Sequence, residues 1–142
     1  FKEALNPGHD FIHIHPGYLP EVKGADGTLW HIKNSNYIGV SSFFMTSKID
    51  EGKIISREKF SIPNFEISEL KNKNVSTLYR FWYSFFDPLL RGTQFKKLLE
   101  MNFNFNKIRN IDISNEKSSY FSFMGEKEKI DVFKRVFFNN DK

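Results

Sequence analysis

Two histidines, His13 and His15, are the first residues of this sequence whose type and spacing could do chemistry. In an extended segment, residues i and i+2 point to the same side. The pair therefore sets two imidazoles on one strand face, able to share a metal ion, relay a proton or hold an anion. With Asp50 as a third ligand, the same residues would bind the zinc or iron of a metal-dependent amidohydrolase.

The elements that must carry these groups follow from the local pattern. Residues 10–15 alternate, with Ile12 and Ile14 on one face and Phe11, His13 and His15 on the other, so a strand is expected. Pro16, Gly17 and Pro20 then impose a loop, which leaves both histidines at the strand's C-terminal end. Asp26 is a candidate N-cap for a short helix over 28–33, where Leu29 and Ile32 repeat at helical spacing. Two strands are expected over 38–45 and 53–62, joined by the charged turn at 48–52 that contains Asp50.

Leu78, Phe81, Trp82, Phe85, Phe86, Leu89 and Leu90 follow the 3-4 spacing of an amphipathic helix. Pro88 is expected to kink or end it and Gly92 to break it again, with a second short helix around Phe95, Leu98 and Leu99. A strand is expected at 120–123 and a last helix over 126–138. Trp30 and Trp82 read as core anchors, and His9 and His31 as surface residues.

Composition narrows the class. The 142 residues contain no cysteine, so disulfides, thiolate catalysis and cysteine-ligated zinc are excluded, and a cytoplasmic location is expected. The net charge of +4 comes from 21 basic and 17 acidic residues in mixed-sign patches such as residues 126–129. That pattern describes a solvated surface and not the clustered footprint of a nucleic-acid binder. No run approaches the roughly eighteen apolar residues of a membrane-spanning helix. The 17 phenylalanines supply ample material for one core, in an α/β layer arrangement.

The wider string is more specific. It reads His13-Ile-His15-Pro-Gly-Tyr-Leu-Pro20, then Gly24, Gly39-Val-Ser-Ser-Phe-Phe-Met45 and Asp50-Glu-Gly52-Lys-Ile-Ile55. It resembles the catalytic half of the formyltransferases that use 10-formyltetrahydrofolate. In that family an Asn-x-His-Pro-(Ser/Gly)-x-Leu-Pro loop precedes Gly-Val-Thr and Asp-x-Gly. The resemblance covers residues 1–60 well and continues loosely to about 101. It implies a Rossmann-like sheet with flanking helices whose N-terminal half is missing from the chain. Residues 1–101 would be the C-terminal half of the catalytic domain and 102–142 a strand-helix extension.

The resemblance also implies roles. His15 matches the catalytic histidine, which stabilises the developing oxyanion or relays a proton, and Asp50 matches the aspartate expected to raise its pKa and keep it protonated. His13 departs from the family's asparagine, which holds the formyl oxygen; an imidazole donates from one tautomer or as a cation. Phe44, Met45, Ile49 and Asp50 fall where the folate donor binds, and no metal is implied. Phe43 replaces the histidine of the glycinamide-ribonucleotide branch, and Ser41 stands where threonine is usual, positioning a turn or simply packing.

The implied acceptor is a primary amine on a small molecule, a nucleotide-linked amino sugar in preference to tRNA. Arg57 or Lys59 would meet its phosphate, or else lie as exposed strand charges. Water in place of the amine would give a formyltetrahydrofolate hydrolase, and a non-catalytic remnant would keep the fold alone. A homodimer, formed around Tyr79 and Tyr83, or association with the missing half are the expected assemblies.

Overall fold

A computed structural model describes residues 10–65, 67–70, 72–102, 104 and 111–138. The expectation for His9 lies outside the described residues. The main sheet has three antiparallel strands in the order β1-β3-β4, with β1 at Ile12–His15, β3 at Tyr37–Phe44 and β4 at Ile54–Ser61. A second, two-stranded sheet pairs β2 (Lys23–Gly24) in parallel with β5 (Tyr120–Phe121). The fold is mixed α/β.

Register decides which side chains meet. His13 lies opposite Phe43 and His15 opposite Ser41, while Ser41 lies opposite Arg57 on the next strand. Directly paired residues share a face, so one face carries His13, His15, Ser41, Phe43 and Arg57. The alternate positions, among them Ile14, Ile38, Val40 and Phe60, face the main core with α1 (Gly27–Asn34) and α4 (Glu126–Phe137). That core is dense in aromatic rings, with Trp82, Phe133 and Phe137 all fully buried. Burial at this density is the chief stabilising contribution, about 2–3 kcal/mol for each such side chain. Residues 124–137, expected as part of an extension, contribute Met124, Val132, Phe133, Val136 and Phe137 to the same core.

The helix from Val75 to Glu100 departs from expectation. It begins as α2 (Val75–Phe81), capped by the Asn74 side chain, which accepts the Thr77 N–H at 2.8 Å. It widens to a π turn over Trp82–Phe86 and resumes as α3 (Asp87–Glu100). Pro88 does not end it. A proline ring clashes with the carbonyl of residue i−4 and lacks an N–H; here both demands fall on the π turn, whose i→i+5 bonding changes the partner carbonyls. Gly92 does not break it either, and the second short helix is simply its continuation. Gln94, fully buried, ties α3 to β4 by accepting from the Ser56 hydroxyl and donating to Glu58 at 3.2 Å.

Candidate functional site

Strand β1 delivers His13 and His15 to one face, and the turn after β3 brings Asp50 to them. Asp50 adopts φ 49°, a left-handed conformation that aspartate tolerates better than most residues. Its Oδ1 lies 3.6 Å from His15 Nδ1, and its Oδ2 accepts the Gly24 N–H at 2.6 Å. Gly24 has φ +92°, and a Cβ there would collide with the Phe121 carbonyl, so this donor requires glycine.

His15 is 2% exposed, with Nε2 2.9 Å from the Val22 carbonyl. A carbonyl only accepts, so Nε2 carries the hydrogen and the neutral ring turns the Nδ1 lone pair toward Asp50. The expected raised pKa is not found. Burial lowers the imidazole's pKa more than Asp50 and the Val22 hydrogen bond raise it. His13 is half-buried, its ring centroid 6.2 Å from that of His15 and edge-on to Phe43 at 5.6 Å. Its pKa is also lowered, by burial first, with Asp50 opposing and Arg91 assisting. Both rings are therefore neutral near pH 7.

Among the described residues, ligand atoms of His13, His15 and Asp50 lie within 4.8 Å of one another, close enough to hold a metal ion. A cavity of about 170 Å³ opens beside them, lined by His13, Phe43, Met45, Thr46, Ile49 and Asp50 among others. Four of the expected donor-binding and catalytic positions thus come together there: His13, Met45, Ile49 and Asp50. Phe44 does not join them. It pairs with Ile12 and, by strand alternation, faces the opposite side of the sheet from Phe43.

The loop after β1 is held from several directions. Ser41 Oγ accepts the Leu19 N–H at 2.9 Å, and Arg57 Nη1 donates to the Leu19 carbonyl at 2.7 Å. Arg57 also makes a bidentate pair with Glu116, both contacts 2.6 Å, and its guanidinium lies over the Tyr18 ring at 4.5 Å. Arg57 is therefore not an exposed strand charge; both of its Nη atoms are engaged. Lys59 lies over Tyr18 and Tyr37 and faces Glu21 at 3.4 Å.

Two positioning residues escaped the sequence reading. His31 is not on the surface: it is 2% exposed, and its Nε2 accepts the Tyr18 N–H at 2.8 Å. Burial, its largest influence, lowers its pKa to about 4. Asp26 occupies the N-cap position of α1 but makes no side-chain cap bond. Its Oδ1 accepts the Tyr79 and Tyr83 hydroxyls at 2.7 and 2.8 Å, and its Oδ2 accepts the Met124 N–H at 2.8 Å. The partners lie 53 to 98 residues away in sequence, beyond any local signal.

The chain superposes on the formyltransferase PseJ from Anoxybacillus kamchatkensis over 79% of its length, with 26% identity and a TM-score of 0.52. The resemblance is to formyltransferases. That structure contains UDP-4,6-dideoxy-4-formamido-L-AltNAc and tetrahydrofolate. WlaRD, a sugar 3N-formyl transferase solved in the presence of dTDP and 5-N-formyl-THF, matches the same share of the chain with 27% identity and a TM-score of 0.50. A sugar N-formyltransferase from Shewanella sp. shares the fold over 93% of the chain, with 18% identity and a TM-score of 0.58. The chain spans 52%, 36% and 54% of these three formyltransferases, respectively. No protein-family model and no curated protein sequence matches it.

Proposed function

We propose that this chain carries the catalytic residues of a folate-dependent formyltransferase, moving a formyl group from 10-formyltetrahydrofolate to the amine of a small nucleotide-linked amino sugar. The observation that carries the reading is the convergence of His13, His15 and Asp50, with His13 and Asp50 lining one cavity, in a chain similar to two formyltransferases.

On this reading each residue has a separate task. The substrate's neutral amine attacks the formyl carbon, and the carbonyl oxygen gains charge in the tetrahedral intermediate. His13, beside the cavity, donates one N–H to that oxygen, the task of the family's asparagine. His15 has Nε2–H fixed on Val22, so only Nδ1 can take the proton released by the attacking nitrogen. Asp50 then faces a cationic ring and stabilises it. Collapse breaks the bond from the formyl carbon to N10 of the folate, and N10 takes up a proton. Met45, Thr46 and Ile49 form the wall against which the donor's ring system would lie.

On this reading residues 1–101 carry the catalytic half, the antiparallel sheet belongs to a Rossmann-like sheet, and the reaction is cytoplasmic. The test is calorimetric titration with 5-formyltetrahydrofolate, followed by mass detection of N-formyl product from dTDP- and UDP-linked amino sugars. Saturable binding and product formation are expected, with turnover falling about 10²–10⁴-fold in His15→Ala and Asp50→Ala. No binding and no product would overturn the proposal.

A further inference from the structure

We propose that His13, His15 and Asp50 together bind one divalent transition-metal ion of the zinc class, through two imidazole nitrogens and one carboxylate oxygen.

His15 and Asp50 form an unfavourable pair when no cation lies between their facing atoms. Because His15 Nε2–H is committed to the Val22 carbonyl, the neutral ring presents a lone pair to Asp50 Oδ1 across 3.6 Å. A lone pair and a carboxylate oxygen repel at that separation, and the arrangement is relieved by a cation placed between them. A proton is one such cation. A metal ion is the other, and the spacing suits it: two ligands about 2.1 Å from a tetrahedral ion lie about 3.4 Å apart.

The outer contacts are those of a metal site. Histidine ligands usually donate their second ring N–H to a carbonyl or carboxylate, which fixes the tautomer and the ring plane. His15 does so through Val22. The carboxylate is anchored likewise, with Oδ2 held by the Gly24 N–H so that Oδ1 is left to point at the imidazole. His13, half-buried and already within 4.8 Å, completes the set with an inward movement of about 1 Å. His13 and Asp50 also line the open cavity, so a fourth position remains for water or another small ligand. Two imidazoles and a single carboxylate favour zinc, cobalt or iron over magnesium and calcium, which prefer oxygen ligands.

Metal binding is independent of the transfer reading. One consequence does rest on that reading: an ion on Nδ1 occupies the place of the transferred proton, so zinc would inhibit formyl transfer.

Cobalt(II) titration of the chelator-treated full chain, followed by its visible spectrum, tests the site without any folate. The expected result is one ion per chain with the intense bands of a low-coordinate centre, displaced by zinc and not by magnesium. His13→Asn and Asp50→Asn should each weaken binding at least about tenfold, while Lys96→Gln, at an exposed side chain of α3, should leave the titration unchanged. Cobalt-shifted proton resonances from two imidazoles in the unsubstituted chain count the ligands even if a variant fails to fold. Absence of binding, fewer than two shifted imidazoles, or equal affinity in folded His13→Asn and Asp50→Asn would overturn the proposal.

Discussion

His31 Nε2 accepts the backbone N–H of Tyr18 at 2.8 Å, so the loop that follows the paired histidines hangs on a ring that must stay uncharged. Protonating Nε2 would set two hydrogens against each other in a buried place. With its pKa lowered to about 4 from the ordinary 6.5, the folded state binds this proton less readily than the unfolded state. The resulting stability is complete above pH 6.5 and is lost as pH falls toward 4, amounting to at most about 3 kcal/mol. His31→Gln keeps an acceptor that does not titrate. Denaturant melts between these pH values should show a flatter decline for the variant than for the parent chain.

Gly17 lies against the hydrogen bond that orients His15. A Cβ at this position would stand 2.5 Å from His15 Nε2 and 2.7 Å from the Val22 carbonyl. Gly17→Ala should therefore push the two apart, costing about 1–3 kcal/mol of stability. The variant's nitrogen-15 spectrum should show the His15 ring losing its single tautomer, and formyl transfer should fall more through kcat than through KM.

Asp26 accepts two phenolic hydroxyls, and both phenols are held protonated. Burial and the Asp26 carboxylate push the Tyr79 and Tyr83 pKa values up from 10.0. The folded state thus keeps these protons more tightly than the unfolded state does, and the associated stability is intact below about pH 10 and lost as pH rises beyond it. Tyr83→Phe should flatten the alkaline loss of stability in melts. Asp26→Asn exchanges one acceptor oxygen for a donor and should cost about 1–3 kcal/mol at neutral pH.

Gly92 lies inside α3, and a Cβ added there would meet nothing within 4 Å. Gly92→Ala should stabilise the chain by about 0.5–1 kcal/mol through helix propensity alone. Thermal melts would show the gain.

Much of the fold was legible wherever one periodicity ruled a segment. Alternation at Ile12–His15 and the helical repeat of Ile130, Phe133 and Phe137 correspond to β1 and α4. The string from His13 to Ile55 also brought the catalytic candidates to one place, because its glycines mark close approaches that the loops cannot make otherwise. What stayed hidden depends on the tertiary surroundings. His31 gives no local sign of burial, since its cover comes from Tyr18 and Tyr37 in the folded chain. The lowered pKa of His15 has the same origin: Asp50 acts as expected, but the depth of burial could not be read from residue types. Asp26 looked like a cap because its true partners are distant in sequence.

The π turn at Trp82–Phe86 has a bearing on how this chain is compared with others. Trp82 is fixed on one side of the turn, its Nε1 donating to Thr28 Oγ1 at 2.8 Å, and Gln94 is fixed on the other by Ser56 and Glu58. Between those two anchors the helix holds one residue more than uniform α geometry would allow. A gapless match to a relative with an unbroken α-helix would therefore be correct on one flank and displaced by a position on the other. Correspondence between helices of this kind has to be established from the anchors outward, with a single-residue gap allowed inside the turn.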